Sequence, residues 1–229
     1  DPVHMSILVV AAHPDDEVLG CGGTLAHTSD EHDVHILILG EGITSRLDSR
    51  DEAEPRQIEQ LRSDAQEAAR LLGSRSLECG GLPDNRFDQV PLLDIVKMVE
   101  ARVQALTPDT IYTHHPGDLN VDHGLTFRAV LTATRPEAEQ PVRELLSFEI
   151  PSSTEWAFQR IVPTFRPNVF VDISRTIETK IAAMKCYESE ARRAPHPRSP
   201  EAIRAVAERW GSVCGTGSAE AFELIRGLR

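Results

Sequence analysis

Residues 9–17 of this 229-residue chain, Val9-Val10-Ala11-Ala12-His13-Pro14-Asp15-Asp16-Glu17, join an apolar run to a polar cluster. The apolar run, Ile7 to Ala12, is typical of a strand buried on both faces of a parallel sheet. It ends in a histidine, a proline and three acids. In open α/β sheets, ligands bind at the carboxyl ends of the strands. The stretch therefore predicts a parallel sheet with a site at its edge.

Three carboxylates beside a buried strand are costly in free energy unless a positive charge lies among them. A divalent metal would supply that charge. His13 and Asp16 are three residues apart, so both side chains can converge on one ion, and Pro14 stiffens the turn between them. Asp15 and Glu17 would remain beside the metal as acids that do not bind it. The alternative is a helix cap formed by Asp15 or Asp16, which explains one or two acids but not the histidine.

A second polar cluster follows a later apolar strand, in residues 113–124, Thr113-His114-His115-Pro116-Gly117-Asp118-Leu119-Asn120-Val121-Asp122-His123-Gly124. Because it also follows a strand of the predicted sheet, we expect it at the same edge as His13. One ligand from this cluster would complete a set of two nitrogens and one carboxylate oxygen. Three protein ligands with an open fourth position are typical of catalytic zinc.

Apolar strands alternate with helical segments in the order β-α-β-α-β-α-β up to residue 113. This order favours one α/β domain with a parallel sheet and right-handed crossovers. Glycines at positions 20, 22 and 23 do not form a dinucleotide-binding motif, because Leu25 stands where G-x-G-x-x-G needs glycine; close packing of helix on sheet explains them better. We expect residues 219–225 to form a last short helix.

Composition excludes several classes of protein. The formal net charge is −12, and no basic run exceeds two residues, which argues against nucleic acid as a partner. No apolar stretch is long enough for a membrane span, and the scattered cysteines indicate neither a disulfide framework nor a cysteine zinc site. A reducing, cytoplasmic location is the simplest interpretation. Met5 is interpreted as the natural start, so residues 1–4 would be a remnant and residues 5–229 the functional domain.

The two polar clusters together resemble a known family. Residues 12–17, A-H-P-D-D-E, paired with residues 120–123, N-V-D-H, resemble the PIG-L/LmbE-like zinc N-deacetylases. Residues 171–174, Lys180 and residues 187–190 are similar to a later D-I-S…K…S-Q pattern of that family, and residues 219–222 are similar to its A-E-x-F.

The resemblance implies a Rossmann-like, three-layer α/β/α fold with a mainly parallel sheet. It implies zinc held by His13, Asp16 and His123, with Asp15 as the general base. It also implies removal of an acetyl group from an N-acetylated amino sugar or conjugate, often one containing N-acetylglucosamine. A homo-oligomer is compatible with the sequence.

Two positions depart from the family pattern. Glu190 stands where glutamine is usual, and Asn120 stands where several members have a histidine that assists catalysis. Either Asn120 contributes only a neutral hydrogen bond, or His114 or His115 takes the place of that histidine as the general acid.

Other polar residues of the edge loops are candidates for contacts with sugar hydroxyls: Arg46, Asp84, Arg86 and Asp118. Asp118 and Asp122 are also candidates for orienting a histidine through a hydrogen bond, with helix capping and turn formation as the alternative. Rival functions are another single-zinc amidase or esterase acting on a non-sugar substrate, and a sugar-binding module without catalysis. The same ligands also accept iron(II), cobalt or manganese.

Overall fold

The structure is a computed structural model that describes residues 4–46 and 54–229. Over these residues the chain forms one α/β domain with a seven-stranded mixed sheet and six α-helices. The strands are β1 Ser6–Ala11, β2 Asp33–Gly40, β3 Ser76–Leu82, β4 Thr110–His114, β5 Glu144–Phe148, β6 Val169–Asp172 and β7 Ala219–Gly227. The helices are α1 Asp16–Thr28, α2 Pro55–Leu71, α3 Leu92–Leu106, α4 Val121–Ala133, α5 Ile177–Cys186 and α6 Pro200–Cys214.

The strand order is β3-β2-β1-β4-β5-β7-β6. Neighbouring strands from β3 through β5 run parallel, whereas β7 pairs antiparallel with both β5 and β6. The predicted mainly parallel α/β fold is therefore confirmed. The order reverses between β1 and β4, and in such sheets the reversal opens a crevice at the carboxyl ends of the strands.

Two apolar cores cover the two faces of the sheet. Helices α1, α2, α5 and α6 contribute to one core, and α3 and α4 contribute to the other. Strand β1 supplies side chains to both: Val9 is buried in the first core, and Val10 in the second. This two-sided burial is why β1 is a continuous apolar run with no polar alternation.

The glycines of α1 allow close packing, as predicted. A Cβ at Gly20 would lie 2.4 Å from the ring of Phe148, and one at Gly23 would lie 2.7 Å from the side chain of Ile173. The helix is kinked at Cys21, where φ is −146° and ψ is 15°. The absence of a side chain at Gly20 thus allows α1 to lie close to Phe148, the last residue of β5.

Residues 219–225 are not helical, so the expectation of a last short helix was wrong. They form most of β7, which is inserted between β5 and β6. Pairing with both neighbouring strands outweighs the helix preference of its alanines, glutamates and leucine. The buried Glu220 carboxylate accepts hydrogen bonds from the backbone N–H groups of Gly23 and Thr24, just after the kink, and from the Lys180 ammonium.

Residues 1–3 lie outside the described part of the chain, so the boundary between residues 4 and 5 stays a prediction. None of the helices within residues 4–46 and 54–229 combines the length and apolar character needed to cross a bilayer.

Candidate metal centre

Three segments at the sheet edge bring His13, Asp16 and His123 together. His13 follows β1, Asp16 opens α1, and His123 lies in the first turn of α4. Asp16 Oδ2 lies 3.3 Å from His13 Nδ1 and 3.3 Å from His123 Nε2. One ligand atom from each of the three side chains lies within 4.8 Å of the other two, and all three residues are buried. Two regions of the chain, about a hundred positions apart, thus bring two nitrogens and one carboxylate oxygen close together.

The start of α4 is fixed by local hydrogen bonds. The side chain of Asn120 accepts a hydrogen bond from the N–H of Asp122, so Asn120 is the N-cap of the helix. Asp118 Oδ1 in turn accepts from the N–H of Asn120 at 2.8 Å. These bonds set the direction in which the first turn presents Asp122 and His123.

Each imidazole has its own buried carboxylate on the side away from Asp16. Asp122 Oδ2 lies 2.9 Å from His13 Nε2, and its Oδ1 accepts from the N–H of Phe87. Asp118 Oδ1 lies 3.1 Å from His123 Nδ1, and the hydroxyls of Ser153 and Thr154 also donate to the Asp118 carboxylate. Metal-binding histidines commonly have such a carboxylate partner, which fixes the ring orientation.

The carboxylates keep both imidazoles protonated in the metal-free protein. Burial lowers the pKa of His13, but Asp122 and Asp16 outweigh burial and raise it to about 10. Burial likewise lowers the pKa of His123, and Asp16 and Asp118 raise it to about 9. Burial alone would raise the pKa of Asp16, but the neighbouring His123 outweighs burial and holds it well below its usual value. The cluster therefore requires positive charge.

The donor set fits a divalent metal. A second set of close donors, His13, Asp84 and Asp122, shares His13 with the first. We favour the first set because it has two imidazoles, and a single oxygen, Asp16 Oδ2, lies 3.3 Å from a nitrogen of each, whereas the second set has one imidazole. In the first set, the carboxylate and both imidazole nitrogens face one another directly.

Asp15 lies beside this set in a constrained backbone conformation. Its φ is +97°, which is uncommon for a residue other than glycine. The residue is 1 % exposed, and its Oδ2 accepts a hydrogen bond from Arg198 Nη1 at 2.8 Å. Burial raises the pKa of Asp15 well above its usual value, although Arg198 opposes this shift.

The metal centre opens into a cavity of about 170 Å³, which we call the central cavity. Its polar lining residues are His13, Asp15, Asp16, Ser45, Arg46, Asp84, Asn85, Asn120, His123, Ser152, Ser153, Glu190 and Arg198. A larger cavity, of about 600 Å³, lies where the C-terminal halves of α3 and α4 meet residues 135–141, but its lining contains no histidine or cysteine among the residues that the structure describes. The three predicted metal ligands, His13, Asp16 and His123, thus line the smaller cavity.

The predicted substrate contacts divide into two groups. Arg46 and Asp84 line the central cavity, but Arg46 already forms an ion pair with Glu190, and Asp84 accepts from Ser45. Asp118 lies behind His123, and Arg86 is outside the lining of the cavity as far as the chain is described. Asp118 is therefore placed to orient His123, because its oxygens are occupied by that ring, by Asn120 and by two hydroxyls.

The two histidines at the end of β4 do not line the central cavity. His114 accepts a hydrogen bond from the N–H of Ala12 through Nε2 and stacks on His123 with 4.0 Å between ring centroids. Its pKa is well below the usual value because of burial, so the ring is neutral. His115 Nε2 lies 2.8 Å from the carbonyl of Pro163. Both rings are buried outside the lining of the central cavity, with His114 Nε2 3.5 Å from Asp16 Oδ2 and His115 Nδ1 3.3 Å from Glu223 Oε2.

Two residues of the cavity lining were not predicted as site residues: Arg198, and Glu190, which had stood out only as a departure from the family pattern. Arg198 lies in the turn before α6, 183 positions from Asp15. No spacing rule connects residues so far apart. The one available signal was the proline-rich segment 195–200, which indicates a fixed turn.

Comparisons with known proteins show similarity of sequence and fold to a family of deacetylases and to several relatives. The model of a family described as PIG-L, GlcNAc-PI de-N-acetylase, matches residues 8–134. The diacetylchitobiose deacetylase of Thermococcus kodakarensis is 26 % identical over 97 % of this chain and 84 % of its own. The 4-oxalmesaconate hydratase of Pseudomonas putida is 29 % identical over 81 % of this chain and 74 % of its own. The crystal structure of the conserved protein TT1542 from Thermus thermophilus superposes with a TM-score of 0.76 at 27 % identity, covering 98 % of this chain and 96 % of that one.

Proposed function

Because the chain belongs to the PIG-L family, described as GlcNAc-PI de-N-acetylases, we propose that it is a metal-dependent deacetylase. The proposed reaction is hydrolysis of the amide that joins an acetyl group to an amino sugar or to a conjugate of one. The observation that carries this proposal is the convergence of His13, Asp16 and His123 in a cavity beside the unligated carboxylate of Asp15.

His13, Asp16 and His123 would hold the metal, and two imidazole nitrogens with one carboxylate oxygen suit zinc. Iron(II), cobalt and manganese accept the same donors, so metal analysis must identify the ion. When bound, such an ion polarises a carbonyl oxygen and generates a nucleophile from water at neutral pH. Asp118 and Asp122 would fix the two imidazole rings.

Asp15 would act as the general base, and then as the acid. A water molecule adds its oxygen to the acetyl carbon while Asp15 takes one of its protons. Asp15 passes that proton to the sugar nitrogen as the C–N bond breaks, which leaves a free amine and acetate. Asn120 has no ionisable proton, and neither His114 nor His115 faces the cavity, so we assign both proton transfers to Asp15.

The relative named as a hydratase provides the main alternative, since hydration of a carbon–carbon double bond also needs an activated water. Its name denotes a carboxylate substrate. In the described part of the cavity lining, the two arginines, Arg46 and Arg198, are both paired with Glu190. An uncharged sugar amide therefore suits this cavity better than a carboxylate.

The proposal is tested by measuring acetate and amine release from N-acetylglucosamine, diacetylchitobiose and larger N-acetyl conjugates, with metal content determined on the same preparation. We expect release that stops with a chelator and returns with zinc or another divalent ion. Water addition to an unsaturated carboxylate, with no acetate from any N-acetyl substrate, would instead support the hydratase.

Replacement of Asp15 tests the general base independently of metal binding. Asp15→Asn should retain the metal and lower kcat by about 10²–10⁴-fold, the usual contribution of a general base. Asparagine tolerates a positive φ, so the backbone should be preserved. Asp88→Asn is the matched control, because Asp88 is exposed and outside the central cavity. Full activity in Asp15→Asn would show that another group takes the proton.

A further inference from the structure

The Asp15 carboxylate is surrounded by like charges. Burial removes the water that would otherwise solvate it, and the Asp16, Glu17 and Glu190 carboxylates lie close enough to repel it. Its backbone is fixed, because its carbonyl accepts the N–H bonds of Val18 and Leu19 as α1 begins. The side chain, in contrast, is directed by one ion pair with Arg198.

The Arg198 guanidinium donates hydrogen bonds to three side chains. Nη1 donates to Asp15 Oδ2 at 2.8 Å and to Glu190 Oε2 at 3.2 Å, and Nε donates to Ser152 Oγ at 2.8 Å. The planar group is thus fixed in the wall of the central cavity, where a lysine would offer one point charge without this geometry.

Glu190 is anchored in turn from the opposite side. Arg46 Nη2 donates to both Glu190 oxygens, at 2.7 and 2.5 Å, and Ser189 Oγ donates to Oε1 at 3.0 Å. Asp15, Arg198, Glu190 and Arg46 therefore form an alternating chain of charges, which we call the cavity strap. It joins the end of β1 to the segment after β2, the segment after α5 and the proline-rich turn.

Building on the proposed deacetylase function, we propose that Arg198 is a positioning residue for the general base. Arg198 directs the Asp15 carboxylate into the central cavity and balances the like charges around it. Glu190, held by Arg46, keeps the guanidinium in place. Within the described residues, Arg198 is the one lysine or arginine that forms an ion pair with Asp15.

The test compares Arg198→Met with Arg198→Lys. Arg198→Met should lower kcat about 10- to 100-fold, as expected when a reacting group is misplaced by about an ångström. KM for a small N-acetyl substrate and the metal content should both stay within about twofold, since Arg198 is not a ligand. Arg198→Lys should recover part of kcat, because the ammonium keeps the charge but loses the planar geometry.

Arg193→Met is the matched control, because Arg193 is exposed in the same turn. It should retain wild-type kcat. An unchanged kcat in Arg198→Met would overturn the proposal, and so would a loss of activity that merely follows loss of metal. Equal losses in Arg198→Met and Arg198→Lys would indicate a packing role instead.

A readout independent of activity is a double-mutant cycle on the metal-free protein, followed by urea denaturation. Arg198→Met alone should lower the midpoint, because it leaves Asp15 buried without its cation. The same change in an Asp15→Asn background should lower it less, whereas Arg193→Met should be additive with Asp15→Asn. If the effects of Arg198→Met and Asp15→Asn on the midpoint were simply additive, the two side chains would not interact, contrary to the ion pair. Absence of acetate release by the wild type would refute the proposed function but leave this cycle interpretable.

Discussion

Two of the regions where the protein buries charge are balanced differently. Beneath the kink of α1, the Lys180 ammonium donates to Glu220 and to the carbonyl of Leu19, while Glu220 accepts the N–H groups of Gly23 and Thr24. One cation meets one anion, and backbone groups use the remaining hydrogen-bonding capacity. This pair needs nothing from outside.

The metal centre lacks that balance. Asp16, Asp84, Asp118 and Asp122 surround His13 and His123, and the imidazoles remain protonated at neutral pH only because the carboxylates raise their pKa values. A metal ion can replace the protons on the two histidines, whereas the Lys180 ammonium is held in place by Glu220 and the carbonyl of Leu19. A buried ionic cluster therefore indicates a binding site when a metal ion can replace the protons that balance its carboxylates.

The largest expected effect comes from removing a ligand. His123→Ala should lose stoichiometric metal, and acetate release should fall to background, because two remaining ligands cannot hold the ion. Metal analysis and the acetate assay measure both effects, and circular dichroism checks that the sheet and helices remain. Retention of stoichiometric metal would show that the second donor set, His13 with Asp84 and Asp122, is the true site.

Breaking the structural pair should instead affect stability. Lys180→Met leaves Glu220 buried without its cation, so we expect the free energy of unfolding to fall by about 3–5 kcal/mol. Urea denaturation measures this loss, and the double variant Lys180→Met/Glu220→Gln should recover part of it. Metal content of the folded fraction should be unchanged. Loss of metal in Lys180→Met would contradict the separation of the two charged regions.

Proton release on metal binding sharpens the same comparison. Since the pKa values of His13 and His123 are raised to about 10 and about 9, both must lose a proton when they bind a metal. Metal affinity should therefore rise with pH by up to about 100-fold per pH unit below about 9, rise less steeply between about 9 and 10, and level off above about 10. Calorimetry in buffers of different ionisation enthalpy counts the released protons. An affinity that does not change between about pH 6 and 8 would contradict the protonated state.

Orientation of a ligand should have the smallest effect. Asp122→Asn keeps an oxygen for the N–H of Phe87 but removes the charge beside His13, so we expect metal affinity to fall by about 10–100-fold. Competition with a chelator of known affinity gives the change. Thr132→Ala, a change at a distant and exposed hydroxyl of α4, should leave affinity unchanged. An equal loss in both variants would show that the effect is on folding.

Local sequence was sufficient where residues act through their neighbours in the chain. The apolar run before His13 predicted a buried parallel strand because a strand covered on both faces has no polar positions. His13 and Asp16 are separated by one turn, so their convergence follows from spacing alone. The expectation that the second polar cluster lies beside them followed from topology, since the carboxyl ends of parallel strands share an edge. The choice of His123 within that cluster came from the family resemblance.

Local sequence failed where long-range pairing decides the outcome. Residues 219–225 have good helix formers, yet they form a strand because β5 and β6 provide hydrogen-bonding partners on both sides. His114 and His115 are adjacent in the chain, but His114 accepts the N–H of Ala12 and His115 lies against the carbonyl of Pro163, so neither lines the central cavity. Neighbouring strands, not local preference, determined these positions.

Short segments of sequence were enough to predict the parallel sheet, the edge that carries the candidate site and two metal-ligand candidates, His13 and Asp16, because strand burial and ligand spacing are local properties. The family resemblance supplied the third candidate, His123. Only the tertiary structure decided which carboxylate orients each histidine, and that Arg198 reaches Asp15 from the far end of the chain. The physical reason is that charge compensation in a buried site depends on distance in space. Groups from any part of the chain can supply it, and no local pattern records which of them will.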